Sequence, residues 1–221
     1  MDSIKPIAQH DPIRLAVLVS GGGTTVQNLH AKIQAGQLCA ELTVVICSNK
    51  KSFDIVIEKN VCRQVVLING SKYRSPSDFS NAIFEQIRSS EADLVCLAGF
   101  LSLLAIPDEF VGRVLNIHPA LLPAFGGQGM YGANVHKAVL ASGCKVSGCT
   151  VHFTDQTYDT GPILLQKICP VQENDTPQSL AARVFEQECL AYPEAICLIA
   201  DGRVVIEPPR TVIKPPPAAQ Q

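Results

Sequence analysis

The sequence predicts an α/β fold: a mostly parallel sheet with helices on both faces, ending in an antiparallel hairpin and a C-terminal helix. Three observations predict it. Short β-prone apolar runs alternate with helical patterns through the first half of the chain, and a glycine-rich turn joins the first run to the first helix. After residue 145 two long extended runs follow each other with no helix between them. Strand–helix alternation with right-handed crossovers gives a parallel sheet covered on both sides. Two neighbouring runs joined by a short connector pair antiparallel instead.

The first run, Arg14-Leu15-Ala16-Val17-Leu18-Val19, stops at Ser20-Gly21-Gly22-Gly23, after which Val26, Leu29, His30 and Ile33 recur at helical spacing. Further strands are expected at 42–47, 63–68 and 94–98. Between the last two, 77–90 places Phe79, Ile83 and Ile87 on one helix face. Asp78 lies in its first turn, where a carboxylate favours the helix N-terminus. The residues around Val114 form another strand. Then 145–153 and 163–171 make the hairpin, joined by a connector, 154–162, rich in Asp and Thr. Thr176-Pro177 opens the last helix, which continues through Leu180, Val184 and Cys189, because proline is tolerated in a first turn. The expected organisation is an N-terminal extension (1–13), one domain (14–206) and a proline-rich tail (207–221) that runs extended on the surface or is unordered.

A chain of 221 residues with 47% hydrophobic content is large enough to bury one core. Its formal charge of -2 and pI near 6.2 arise from scattered residues with no basic block, which argues against a nucleic-acid partner. The nine cysteines are odd in number, contain no Cys-x-x-Cys, and sit partly inside apolar runs such as 44–47 and 94–97. They read as reduced, buried small hydrophobes rather than a disulfide scaffold. The first twelve residues lack the apolar centre of a secretory signal, and no run of about eighteen apolar residues occurs. A cytoplasmic protein, monomer or homodimer, with no membrane partner is expected. No cluster has zinc-ligand spacing, so no metal is expected.

Three constellations carry chemistry. Ser20-Gly21-Gly22-Gly23-Thr24-Thr25 follows a strand and precedes a helix, so its backbone N–H groups and the helix dipole suit a phosphate. It matches neither the nucleoside-triphosphate nor the dinucleotide glycine pattern, and it serves equally as a tight turn with Thr24 or Thr25 as N-cap. In Leu115-Asn116-Ile117-His118-Pro119, the two-residue spacing projects Asn116 and His118 from one face at a strand's carboxyl end. An amide N–H stabilises an oxyanion and an imidazole moves a proton near neutral pH, which are the two needs of acyl transfer. An isolated pair of this kind also occurs as a cap and a satisfied structural histidine. Asp159, in Tyr158-Asp159-Thr160-Gly161-Pro162, is placed to raise the pKa of His118 and orient its ring, with Asp155 competing for the role and an ordinary turn as the plain alternative. Among weaker candidates, His152 alternates with apolar neighbours and reads as core. His136 begins a helix that lines the site or lies on the surface. Glu188 accepts sugar hydroxyls or belongs to a solvated helix face.

Together these pieces resemble the phosphoribosylglycinamide formyltransferase family, from about Arg14 to Val205. The resemblance rests on Asn116-Ile117-His118-Pro119-Ala120-Leu121-Leu122-Pro123, then Val151-His152-Phe153 and Asp159-Thr160-Gly161-Pro162, with Ser20–Gln27 similar to the family's phosphate loop. It implies a Rossmann-like fold and transfer of the formyl group of 10-formyltetrahydrofolate, the co-substrate, to the amine of glycinamide ribonucleotide, with no metal. It implies Asn116, His118 and Asp159 as the catalytic trio. Gly22, Gly23, Thr24 and Thr25 would take the phosphate and Glu188 the ribose. The folate would lie on Leu101, Ser102, Leu103 and Leu104 and on Asp155, Gln156, Thr157 and Tyr158. The chain departs from the family where Thr25 replaces a common Asn, where Ser102 replaces a frequent Arg, where the region around Pro76 lacks another Arg, and in a longer loop over 125–132. Formyltetrahydrofolate hydrolases and sugar-nucleotide formyltransferases share the chemistry, while a noncatalytic phosphometabolite-binding protein would share the fold alone. A hydrolase usually carries an extra N-terminal regulatory domain.

Overall fold

The computed structural model describes residues 10–216. β1 (Ile13–Val19), β2 (Ala40–Cys47), β3 (Val65–Leu67), β4 (Leu94–Leu97) and β5 (Val114–His118) run parallel, in the spatial order β3-β2-β1-β4-β5. β6 (Val146–Phe153) pairs antiparallel with β5, and β7 (Ile163–Pro170) antiparallel with β6. The helices are α1 (Thr24–Gln34), α2 (Lys50–Lys59), α3 (Pro76–Ser89), α4 (Ala133–Ala141) and α5 (Pro177–Ala200).

β1 explains why its sequence is apolar throughout. Ile13, Leu15, Val17 and Val19 pack on the face covered by α1, α4 and α5, while Ala16 and Leu18 pack on the opposite face with Phe79, Ile83 and Ile87 of α3. A central parallel strand is buried on both sides, so neither face tolerates polar residues. α3 begins as its sequence dictates: Ser75 caps the N–H of Asp78, and Pro76 fills a first-turn position that needs no donor.

The strand order positions the site. The chain steps from β1 out to β2 and β3, then returns to place β4 and β5 on the other side of β1, so the connections leaving β1 and β4 diverge. That divergence opens a crevice at the carboxyl ends of the strands.

Two contacts set α5 against this crevice. The Tyr192 hydroxyl, fully buried, lies 3.1 Å from the carbonyls of both Leu97, the last residue of β4, and Leu115, near the start of β5. Pro193, inside α5, has no N–H to offer the carbonyl of Cys189 one turn earlier, and the Asn28 amide donates to that carbonyl at 3.1 Å. Without Asn28 this carbonyl would lose its partner. α1, which begins at the glycine turn, is thereby fastened to α5, which carries Glu188.

The C-terminal segment differs from its expected course. β8 (Val204–Glu207) and β9 (Arg210–Ile213) form a hairpin turning at Pro208-Pro209, with β9 beside β7 at the sheet edge. The tail boundary at 206/207 therefore separates β9 from the sheet it belongs to. Proline is excluded from ladder interiors but suits the turn, which is where Pro208 and Pro209 stand. Residues 217–221 of the expected tail, and 1–9 of the expected N-terminal extension, lie outside the described residues. α5 also runs beyond its expected span, to Ala200. Cys47, Cys96, Cys149 and Cys169 are buried as expected, whereas Cys39 is exposed. Among the described residues no helix is long and apolar enough to cross a membrane.

Candidate active site

The glycine turn lies at the switch point, and its carbonyls are tied outward. Asn49 Nδ2 donates to the carbonyl of Ser20, Ser52 Oγ to that of Gly21, and Gln27 Nε2 to that of Gly22. Gly23 occupies the position before α1 with φ 70, a left-handed conformation that glycine adopts without strain. No side chain caps α1, so neither Thr24 nor Thr25 plays the N-cap role that would have made this turn merely structural. The first N–H groups of the helix stay available to an anion.

Asn116 and His118 leave the same face of β5, as their spacing predicts. The hairpin connector brings Asp159 to them: its Oδ2 lies 3.5 Å from His118 Nδ1, and its Oδ1 3.4 Å from Asn116 Nδ2. Gly127 N–H donates to Oδ2 at 2.9 Å. A Cβ on the adjacent Gly126 would come within 3.2 Å of Asp159 Cβ, so the 125–132 loop passes close against the acid. Asp155 does not compete. Its carboxylate accepts from Thr157 N–H, Thr157 Oγ1 and Thr160 Oγ1 and braces the connector from within.

His152 is buried as expected, but it is also part of the site. β5 and β6 pair Asn116 with His152, and Asn116 Nδ2 donates to His152 Nε2 at 3.1 Å. The carbonyl of Phe153 accepts from His152 Nδ1, which makes Nδ1 the protonated nitrogen and Nε2 the acceptor. The amide orientation of Asn116 is fixed by that tautomer. On the other side, His118 Nε2 donates to the Phe125 carbonyl at 2.8 Å, so Nδ1, facing Asp159, is the nitrogen that takes up a proton. Thr150, opposite His118, donates to the Ala120 carbonyl and accepts the Leu122 N–H, which pins the turn that follows β5.

Electrostatics refine one expectation. Burial lowers the pKa of His118, and the nearby Asp159 carboxylate and the Phe125 carbonyl only partly restore it, so it lies below the ordinary histidine value. The resting imidazole is therefore neutral at neutral pH; the carboxylate limits the depression where the sequence suggested a net rise. Burial raises the pKa of Asp159, but His152, the His118 charge and the Gly127 N–H outweigh it and hold the acid below its usual range. His136, in the first turns of α4, is depressed by burial and by His118. Glu188 faces the same cleft from α5, and its burial pushes it up to about 7.

These groups line one cleft of about 610 Å³, within the usual range for small-molecule sites. Gly22, Gly23, Thr24, Thr25, Glu188, Leu101, Ser102, Leu103, Leu104, Thr157, Tyr158 and the trio all line it, and His136 is also in the wall. Asp155 and Gln156 are not. Asp155 faces its own turn and Gln156 donates to the Ile106 carbonyl, because the connector turns these side chains away from the cleft. Two buried wall atoms, Thr154 Oγ1 and His136 Nδ1, have no partner among the described residues, as expected of groups that a ligand completes. Among the described residues no group of three or more His, Cys, Asp or Glu side chains is placed to hold a metal ion.

Sequence reasoning missed the site roles of His152, Phe125 and Gly127. Only the β5–β6 register and the loop path place them there; the Val-His-Phe alternation indicated burial without direction.

Comparison with known proteins agrees with this arrangement. The formyl transferase family model matches residues 13–196. A phosphoribosylglycinamide formyltransferase of Arabidopsis thaliana is 41% identical over 203 residues, 89% of this chain and 69% of the relative; one of Vigna unguiculata is 40% identical over 198 residues, 87% and 62% respectively. The chain thus spans about two thirds of the length of these relatives. The solved glycinamide ribonucleotide transformylase 1 of Symbiobacterium toebii superposes with a TM-score of 0.83 at 37% identity, covering 92% of this chain and 94% of that one. With the matched region containing the glycine turn, the Asn116–His118 strand and the Asp159 connector, the chain belongs to the formyl transferase family and, within it, to the phosphoribosylglycinamide formyltransferases.

Proposed function

We propose that this chain transfers the formyl group of 10-formyltetrahydrofolate to the amine of glycinamide ribonucleotide, a step of purine biosynthesis. One observation carries the reading: Asn116, His118 and Asp159 converge within 3.5 Å in a cleft whose wall includes an uncapped glycine turn. The turn takes the nucleotide phosphate on backbone N–H groups, and Glu188 accepts its ribose hydroxyls. The segments 101–104 and 157–158 hold the folate.

The formyl donor supplies an activated one-carbon acyl group. Asn116 presents its amide N–H to the oxyanion that develops when the amine attacks; the 3.4 Å contact with Asp159 is the weaker of its two bonds and yields first. His118 Nδ1 takes up the proton lost by the amine and Asp159 stabilises the imidazolium; collapse of the tetrahedral adduct then breaks the bond between the formyl carbon and the folate nitrogen, which leaves with that proton as tetrahydrofolate. Among the described residues no cysteine lines the cleft, and buried thiols such as Cys149, pushed up to about 12, are poor nucleophiles, which fits direct transfer. The preponderance of buried and half-buried thiols suits a reducing compartment such as the cytoplasm.

Incubation with 10-formyltetrahydrofolate, with and without glycinamide ribonucleotide, tests the reading. Amine-dependent release of tetrahydrofolate supports it; amine-independent release indicates hydrolysis, and no release indicates binding alone. His118→Ala should lose at least about 100-fold in turnover while nucleotide binding persists. An active variant would contradict the assignment.

A further inference from the structure

His136 is a polar group in the cleft wall to which the chemistry above gives no task. It stands in the first turns of α4, is only 5% exposed, and lies one turn before Val139, which packs in the core that α5 completes. Residues three apart share a helix face, so the imidazole is turned inward and not to solvent. The start of α4 is itself fastened: the Asn134 N–H donates to the Tyr131 carbonyl at 3.2 Å, and its Nδ2 to the Gly129 carbonyl at 3.3 Å. Neither ring nitrogen of His136 makes a hydrogen bond among the described residues, and Nδ1 is fully enclosed. The residue nevertheless belongs to the cleft wall that includes His118 and Glu188, so Nε2 is the nitrogen left to face the cleft. An enclosed lone pair without a donor costs less than an enclosed N–H without an acceptor, which puts the proton on Nε2. Burial and the nearby His118 both oppose a second proton. The wall therefore offers a neutral, fixed N–H donor near the reacting imidazole.

We propose that His136 Nε2–H holds the carbonyl oxygen of the acceptor's glycinamide arm and so sets the amine against His118, a substrate-positioning role. This rests on the function proposed above and adds to it the group that orients the acceptor. In a glycinamide the carbonyl lies only a few bonds from the amine, so a donor near the imidazole that receives the amine's proton is within reach of that oxygen. An uncharged donor suits an uncharged dipole. Phosphate has the backbone N–H groups of the glycine turn, and a cation at residue 136 would oppose protonation of His118 during transfer. The bond also separates amines that carry a neighbouring carbonyl from those that do not, because an acceptor without it leaves the donor unpaired in a desolvated wall.

Calorimetric titration of the intact protein, His136→Leu and His136→Gln, each with glycinamide ribonucleotide and with ribose 5-phosphate, tests this. The second ligand shares the phosphate and the sugar but has no carbonyl arm. His136→Leu should bind glycinamide ribonucleotide about tenfold or more weakly, and ribose 5-phosphate within about twofold of wild type. His136→Gln, which places an amide N–H near the position of Nε2, should recover glycinamide ribonucleotide to within about threefold of wild type. Unchanged nucleotide affinity in the leucine variant, an equal loss for both ligands, or a glutamine variant that recovers nothing would overturn the proposal. The leucine variant should melt no lower than wild type, since an apolar side chain of similar size removes an enclosed unpaired nitrogen; a lower melting temperature that parallels the lost affinity would make His136 a structural residue. In the unmutated protein the ring-nitrogen NMR signals of His136, identified by their absence from the glutamine variant, should move with glycinamide ribonucleotide and stay in place with ribose 5-phosphate. No movement with either ligand overturns the contact. Wild type that neither binds the nucleotide nor transfers formyl would sink the functional reading itself, whereas binding and transfer that persist undiminished in His136→Leu would sink this inference alone.

Discussion

Replacing Asp159 by asparagine removes one negative charge from the centre of the site and little else. The carboxylate lies 3.5 Å from His118 Nδ1, where a unit pair in partly desolvated surroundings attracts by about 5 kcal/mol at an effective dielectric near 20. That is an upper figure, because solvent and the lost hydration of both groups reduce it, and a neighbouring carboxylate ordinarily moves a histidine by about one to three pKa units. Burial already depresses His118, and Asp159 is the largest influence opposing it. In the variant its pKa should fall further, and the imidazolium formed during transfer should lose roughly 1.4–4 kcal/mol of stabilisation, a loss of about 10- to 1000-fold in turnover. The sign in pH follows. His118 must start neutral to take up the proton, so activity falls as pH drops through its pKa, and lowering that pKa moves this acidic limb of kcat/KM to more acidic values. Rates of tetrahydrofolate release from about pH 5.5 to 9, in wild type and Asp159→Asn, read both effects. Turnover within about threefold of wild type, with the limb unmoved, would refute the assignment of Asp159 as the imidazole's charge partner.

Glu188→Gln should raise thermal stability above neutral pH yet weaken nucleotide binding. The carboxyl ionises above about 4.5 in the unfolded chain but only above about 7 when folded, so its contribution to stability falls as pH rises between these values and stays low beyond them. The cost is up to about 3 kcal/mol at about 1.4 kcal/mol per unit, and melting curves at pH 4 and 8 should show the benefit only at pH 8. Asn28→Ala leaves the Cys189 carbonyl without its donor beside Pro193 and should cost about 1–3 kcal/mol in chemical denaturation; a neutral result would show that water reaches this carbonyl. Gly161→Ala should prevent closure of the β6–β7 hairpin, because its Cβ would lie 1.9 Å from the Phe153 carbonyl; a soluble, fully active variant would show that the connector can shift.

Local chemistry determined a large part of this protein. The apolar period placed β1, β2, β4 and α3, the Ser75–Pro76–Asp78 signals set where α3 starts, and the two-residue spacing put Asn116 and His118 on one face, because each of these rests on interactions within a few residues of chain. Short and edge elements were less legible. β3 lies within the strand expected at 63–68 but is only three residues long, and the β8–β9 hairpin is concealed in a proline-rich segment whose strand character comes from pairing with β7. The choice between Asp155 and Asp159 was likewise closed to sequence reasoning, since both are turn residues four apart and only the path of the connector directs one at His118 and the other at its own threonines. His152 is the clearest case. Its alternation with Val151 and Phe153 gives burial, but whether it orients an amide or fills a core depends on which residue stands across the sheet. Register between strands 36 residues apart is fixed by the packing of the whole sheet and by the turn at 119–123, and the tertiary structure alone decides it.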